Sequence, residues 1–465
     1  MSLTSGKLPD ALKIAKIIPI YKKGDATVPG NYRPISLLSM FDKILEKIIC
    51  NRIINFWNKH NVLYDYQFGF RKSHSTTLAL IEITDHIYKW LDEKNYVLGI
   101  YLDLQKAFDT VDHAILLSKL SNYGIRGTML NWFKDYLFNR KQYTVIGGCK
   151  STSMVINCGV PQRSVLGPLL FLIYVNDMAN ASASAKIRLF ADDTNIFLYN
   201  RNLNTLLRDS NKTLHDISKW MVANRLSINI EKTNYTLFSP TREKPSSDDI
   251  KLLLNNAPIN MAKCVKYLGV HIDEDLKWCD HIKYVYTSIM KYVGIFYKIR
   301  YKLPQSSLKN LYYATVHPLI QYGIELYANT NKTYLYDLSV LNNKILRILQ
   351  FQPMTSNVTD LYNAYNTMSV ENLHSYKILL LMYKYFHCRN ELPQSFQNYF
   401  IVNSSIHMHD TRSQANAHLS LYSTMYGVRC LNYHGSKLWN KLPENVKKLT
   451  SINSFKRAAS ELFKD

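Results

Sequence analysis

The chain of 465 residues is poor in cysteine, short of acidic residues and without any long apolar run. Its seven cysteines (Cys50, Cys149, Cys158, Cys264, Cys279, Cys388 and Cys430) are scattered and odd in number, and no two form a CxxC pair. That spacing argues against a zinc knuckle and a disulfide framework, and leaves reduced, intracellular thiols as the default. No stretch approaches the ~20 apolar residues that span a bilayer. The opening MSLTSGKLPD lacks the charged-then-apolar pattern of a secretory leader. Internal repeats and low-complexity tracts are missing as well. Acidic residues number 35 against 57 lysines and arginines, a net charge of +22. Such a surplus implies a polyanionic partner, nucleic acid or an anionic membrane surface, although some basic proteins are basic for neither reason.

What is present is a globular composition, 47% hydrophobic, in a chain long enough for two or three subdomains. AKIIPIYKKGD reads as a strand running into a turn at Lys23-Gly24-Asp25. From Ser36, SLLSMFDKILEKIICNRIINFWNKH carries apolar residues at helical spacing behind an N-capping serine. A second helix is expected over Thr76 to Leu91. NYVLGIYLDL is a near-continuous run of β-formers, hence a buried strand. Helical patterns follow through Leu120 and from Met129 to Leu137. KQYTVIGG and TSMVINCG resemble the arms of a hairpin, and IRLFADDTNIFLYN two strands whose turn falls at Asp192-Asp193. SPTREKPSSDD, from Ser239, is a surface loop by its polarity. Beyond Asp275 the pattern turns helical with interleaved Tyr and Lys, and MTSNVTD marks a possible boundary near 355–370.

Two acidic motifs carry chemistry. In YLDLQKAFDTVDH, Asp103 ends an apolar strand and so sits at the rim of a sheet, where a lone acid is more often a helix cap or a solvated turn. In LFADDTNIF, Asp192 and Asp193 stand at the tip of an apolar hairpin. Adjacent carboxylates are unfavourable there unless a cation or water offsets them. Asp also favours ordinary turns, yet the flanking Leu189, Phe190, Ile196 and Phe197 are not what a solvated loop needs. Carboxylates from two separate strands can hold the pair of magnesium ions that phosphoryl transfer uses.

Seven runs in order then resemble the reverse transcriptases of non-LTR (LINE-type, jockey-like) retrotransposons over most of residues 7–280. They are IIPIYKKGD with NYRPISLL, YQFGFRKSHST, YLDLQKAFD, GVPQRSVLGPLLF, FADD, WMVANRLSINIEKTN and KYLGVHID. The resemblance implies an α+β right-hand polymerase. Fingers would occupy 1–95, a palm with an antiparallel sheet 96–275, a helical thumb 276–360, and a C-terminal helical extension of undefined role 361–465. It implies RNA-directed DNA synthesis on an RNA template and DNA primer from deoxynucleoside triphosphates. Two magnesium ions, replaceable by manganese, would serve as cofactors, and no membrane would be involved. A ribonucleoprotein of cytoplasm and nucleus is the implied setting.

Residue by residue, Asp103, Asp192 and Asp193 look like the metal-binding catalytic carboxylates, and Lys232 like the lysine that protonates the leaving pyrophosphate. Phe108 matches the aromatic gate against a ribose 2′-hydroxyl, though alone it reads as a core aromatic. Arg71 resembles the fingers residue on the triphosphate. Lys22, Lys23 and Arg33 are further candidates for phosphate contacts, or else a solvated basic turn. Gln162 matches the residue beside the nascent base pair, and Tyr267, Leu268 and Gly269 the primer-grip turn. One departure stands out: the family's glycine after this glutamine is Arg163 here, which could crowd the nucleotide pocket or reach a phosphate. The chain opens almost at the fingers, so no endonuclease is expected ahead of them. TRSQ at Thr411 and GSKLWNKLPENVKK resemble the tail of jockey-like polymerases, with Trp439, Leu442 and Phe455 as a small core. Alternatives are a decayed copy that only binds RNA, a group II intron-type reverse transcriptase, and a plain scaffold.

Overall fold

The computed structural model describes residues 2–241, 244–245, 250–406, 414 and 416–463. Most of the polar stretch after Pro240, and Thr411 to Ser413 of the TRSQ run, lie outside the described residues.

A five-stranded sheet organises the molecule, in the order 260–261, 234–238, 96–102, 193–200, 186–190. Tyr96–Leu102 is its middle strand, and every residue in it after Tyr96 is buried, as a run of Val, Leu, Ile and Tyr flanked on both sides requires. It pairs antiparallel with both neighbours, and only the short edge strand Asn260–Met261 runs parallel to its partner. Side-chain alternation sends the strand's residues to two separate cores. Leu98, Ile100 and Leu102 join Trp132, Phe133, Tyr136 and the helices Leu166–Val175 and Leu203–Ala223 on one face. Val97 and Tyr101 join helix Thr76–Asp92 and the whole C-terminal half on the other. That helix starts on Ser75, whose side chain accepts from Leu78 N, and it is apolar almost all round because it lies between the sheet and the C-terminal helices.

A second sheet pairs Ile14–Tyr21 antiparallel with Tyr32–Leu37 and parallel with Lys141–Ile146. The latter also pairs with Cys149–Lys150 and Met154–Val155, so the expected hairpin arms meet and are added to the N-terminal strands. One expectation is corrected here. Ser36 opens no helix but pairs with Ile17 inside a strand, because Pro34 favours extended backbone and the register continues through Leu37; the helix is Met40–Lys59, with Ser39 at its cap position.

The helices after residue 278 form one continuous core that runs through 355–370 without a gap and returns to helix Thr76–Asp92. Trp439 stacks on Phe386 at 4.9 Å and Phe455 on Tyr383 at 4.4 Å, so the apolar residues of the tail complete that core. All seven cysteines are free. No helix among the described residues is long and apolar enough to cross a membrane.

Candidate active site

Asp103 follows directly on the middle strand, and Asp193 opens the strand beside it. The last rung between them is Leu102 opposite Thr194, so the next position outward sets Asp103 against Asp193, while Phe190 pairs with Asp193 across the tight turn at Ala191 and Asp192. Three carboxylates therefore share one end of the sheet although 89 residues of chain separate Asp103 from Asp192. Their charges are felt mutually. Burial, then the charges of Asp192 and Asp103, push Asp193 up to about 6. Asp192 is raised by burial and by Asp103, an effect that Arg33 partly offsets. Both residues still meet solvent.

The carboxylates do not converge on a single point. Among the described residues no three acidic, histidine or cysteine side chains could hold an ion as they stand. Asp103 instead leans on Lys232, whose ammonium lies 3.5 Å from its Oδ2. The donor set nonetheless suits a hard divalent cation: three carboxylates, two of them destabilised by neighbouring negative charge that a cation would neutralise.

The acidic turn is braced from behind by residues 66–69. Phe68 N donates to Leu189 O at 2.8 Å and Leu189 N to Tyr66 O at 3.0 Å, which adds this segment to the strand that carries the turn. Gln67, 1% exposed, accepts through Oε1 from Gly69 N at 2.8 Å and from Ala191 N at 3.1 Å. A Cβ at residue 69 would lie 2.4 Å from Ala191 N, so only glycine permits the approach. Neither Gln67 nor Gly69 was singled out from the sequence; the available signal is a lone glutamine among Tyr, Phe and Gly in YQFGF. Arg71, the residue that was, donates to Tyr64 O at 2.7 Å and Gln67 O at 3.3 Å and so ties the same segment together.

Phe108 stacks on Phe171 at 4.6 Å and meets Phe70 edge-on at 6.5 Å, half-buried against the core. The loop after it is stitched to the 159–162 loop: Val160 N donates to Phe108 O at 2.9 Å and Gly159 N to Val111 O at 2.8 Å. Gln162 Nε2 donates to both oxygens of Asp109 at 2.9 and 3.0 Å, a clamp that the sequence did not announce. Arg163 has φ +67°, the left-handed region that favours glycine, and its side chain is exposed. The backbone thus keeps a glycine conformation while the arginine side chain stands in solvent.

Tyr267, Leu268 and Gly269 form the turn of the hairpin Cys264–Tyr267 and Val270–Asp273. Tyr267 is buried and its hydroxyl is raised by burial and next by the charge of Asp193, which sets this hairpin beside the acidic turn. Tyr322 donates to Leu268 O at 2.5 Å and holds the turn. Lys22 and Lys23 are exposed beyond the end of strand 14–21, whereas Arg33 lies close enough to Asp192 for its charge to act there.

The sequence profile of the family described as "Reverse transcriptase (RNA-dependent DNA polymerase)" matches residues 20–272, more than half of the chain. The chain is 30% identical over 383 residues to the probable RNA-directed DNA polymerase from transposon BS of Drosophila melanogaster, covering 78% of this chain and 41% of that protein. It is 30% identical over 371 residues to the RNA-directed DNA polymerase from mobile element jockey of Drosophila funebris, covering 77% and 40%. The chain thus spans about two-fifths of the length of these relatives. Among solved structures, apo telomerase from Candida tropicalis superposes with a TM-score of 0.41 at 10% identity, over 80% of this chain and 66% of that one. With acidic turn, sheet and motif order on the matched segment, the chain belongs to the reverse transcriptase family, in its non-LTR, jockey-like branch.

Proposed function

We infer that this chain is the polymerase part of a non-LTR retrotransposon protein and extends a DNA primer on an RNA template. The observation that carries this is the gathering of Asp103, Asp192 and Asp193 at one sheet end, where burial and the charges of the other two raise Asp193. In this reading the 14–37 strands belong to the fingers and the 141–155 strands, expected in the palm, extend their sheet, while the five-stranded sheet forms the palm, residues 276–360 the thumb, and 361–465 an extension packed back on helix Thr76–Asp92. Bound magnesium would lower the pKa of the primer 3′-hydroxyl and neutralise charge on the α-phosphate and pyrophosphate. Asp103, Asp192 and Asp193 supply oxygen donors for it. Lys232, beside Asp103, would protonate the leaving pyrophosphate. Phe108, fixed by Phe171, closes the space of a 2′-hydroxyl, and Gln162, fixed by Asp109, sits against the nascent pair. Arg33, with Lys22 and Arg71, faces the triphosphate, and the 267–269 turn the primer end. The particle would form in the cytoplasm and act in the nucleus.

Primer extension on poly(rA)/oligo(dT) with magnesium tests this directly. The wild-type chain should incorporate dTTP, and Phe108→Ala should admit UTP while keeping dTTP. Extension that persists in Asp192→Ala would end the reading.

A further inference from the structure

From His281 to Ile324 the chain contains no acidic residue, yet it carries five lysines and Arg300. Part of that charge gathers around rings where helix Cys279–Ile299 ends. Tyr301 is 73% exposed and Phe351, from the neighbouring loop, 43%. Their rings lie 5.1 Å apart, and the guanidinium of Arg300 sits over Tyr301 at 4.6 Å, Tyr297 at 4.8 Å and Phe351 at 5.5 Å. Arg300 also donates to the Tyr301 hydroxyl at 2.7 Å, and Gln305 Nε2 to Leu349 O at 3.0 Å, so the two loops are locked together. Phe351 is held at φ +56°, a conformation that a bulky side chain adopts only under constraint. Lys298 and Lys302 are exposed on either side.

Large rings are exposed here at the cost of their own burial, on a rigid base with cations and no carboxylate in the flanking sequence. A protein partner with an apolar face would have no use for the cations, and a bare phosphate none for the rings. Unpaired nucleic acid satisfies both, since its bases stack on aromatic and guanidinium planes while its phosphates meet lysine. Helix Cys279–Ile299 starts against the hairpin that neighbours Asp193 and has 21 residues, about 30 Å of helix, and the rings gather at its opposite end. We propose that Tyr301, Phe351 and Arg300 form a stacking platform for an unpaired nucleic-acid strand, separate from the polymerase cleft. It goes beyond the polymerase reading and does not need that reading to hold.

The test uses the full chain with its cleft preloaded by a template–primer duplex. Fluorescence anisotropy then follows binding of a labelled oligo(U) 10-mer, with oligo(dT), a blunt duplex and heparin in parallel. Tyr301→Ala combined with Phe351→Ala should weaken oligo(U) about tenfold or more, in line with the loss of one or two stacked bases. Heparin binding should hold, because no charge is removed, and Tyr301→Phe should retain oligo(U) affinity. A 4-thiouridine in the oligomer should cross-link to Tyr301 or Phe351. Comparison of oligo(U) with oligo(dT) identifies which strand the platform prefers. Unchanged oligo(U) binding in the double variant overturns the proposal, as does an equal loss for duplex or heparin. A chain that fails to extend primers yet shows the ring-dependent binding would sink the polymerase reading alone.

Discussion

Asp193, at the surface, and Asp85, in the core, are two carboxylates raised to the same level, about 6 in each case and by desolvation first. Their surroundings are opposite. Asp85, on the helix Thr76–Asp92, accepts from the Tyr399 hydroxyl, from Leu431 N at 2.8 and 2.9 Å and from Asn432 N at 3.4 Å. It thereby caps the helix Leu431–Asn440 from outside and, with Asp92 accepting from Thr424 N at 2.8 Å, pins the C-terminal region to helix Thr76–Asp92. Asp193 has negative neighbours instead. Folded, both bind a proton more tightly than the unfolded chain does, so each withdraws stability as the pH rises from the ordinary carboxylate range through about 6. A raised pKa therefore says nothing about role by itself. Satisfied hydrogen bonds set Asp85 apart, and negative neighbours set Asp193 apart.

The comparison breaks most readily at the acidic turn. Asp192→Asn or Asp103→Asn should lower primer extension at least ~1,000-fold, about 4 kcal/mol of barrier, with no fall in the metal-free melting temperature because a repulsion is removed. A marked drop in melting temperature would give these aspartates the role assigned to Asp85. Asp85→Ala should do the reverse. Stranding three donors costs on the order of 3 kcal/mol in urea unfolding, while activity per folded molecule survives. If the variant unfolds like wild type, the tail is not held by this carboxylate.

Gln67 lies between the two cases, a buried neutral group that positions a charged one. Gln67→Leu should cut kcat about tenfold, ~1.4 kcal/mol, with little change in KM for the nucleotide, because the turn shifts while the pocket stays. An effect on KM alone would place Gln67 in nucleotide binding. The smallest effect is expected at Arg163. Arg163→Gly should stabilise the chain by about 1 kcal/mol through relief of the left-handed backbone. Extension by the same variant should stay within about threefold of wild type, ~0.7 kcal/mol. A large gain in extension would mean that the exposed side chain folds back into the cleft when substrate binds.

Much of this was legible beforehand. The helix 76–92, the strand 96–102 and the paired strands around Asp192 follow from local periodicity, which a window of a few residues contains. The helix starts at Met40 and not behind Ser36 because Ser36 pairs with Ile17 in a strand, a partner that the local pattern does not contain. The joining of the 141–155 strands to the N-terminal sheet had no local signature, since a hairpin shows its own pattern but not which edge it will extend.

By itself the sequence determined the charge surplus, the order of the motifs, the strand that ends at Asp103 and the hairpin that carries Asp192 and Asp193. Each is written in neighbouring side chains. Only the tertiary structure decided that Gln67 would hold Ala191 across 124 residues, that Asp109 would clamp Gln162 across 53, and that Asp85 would cap a helix 346 residues away. The reason is physical. A hydrogen bond needs its partners within about 3 Å, and for residues so far apart in sequence that distance is set by how whole layers pack on one another, which no local pattern encodes.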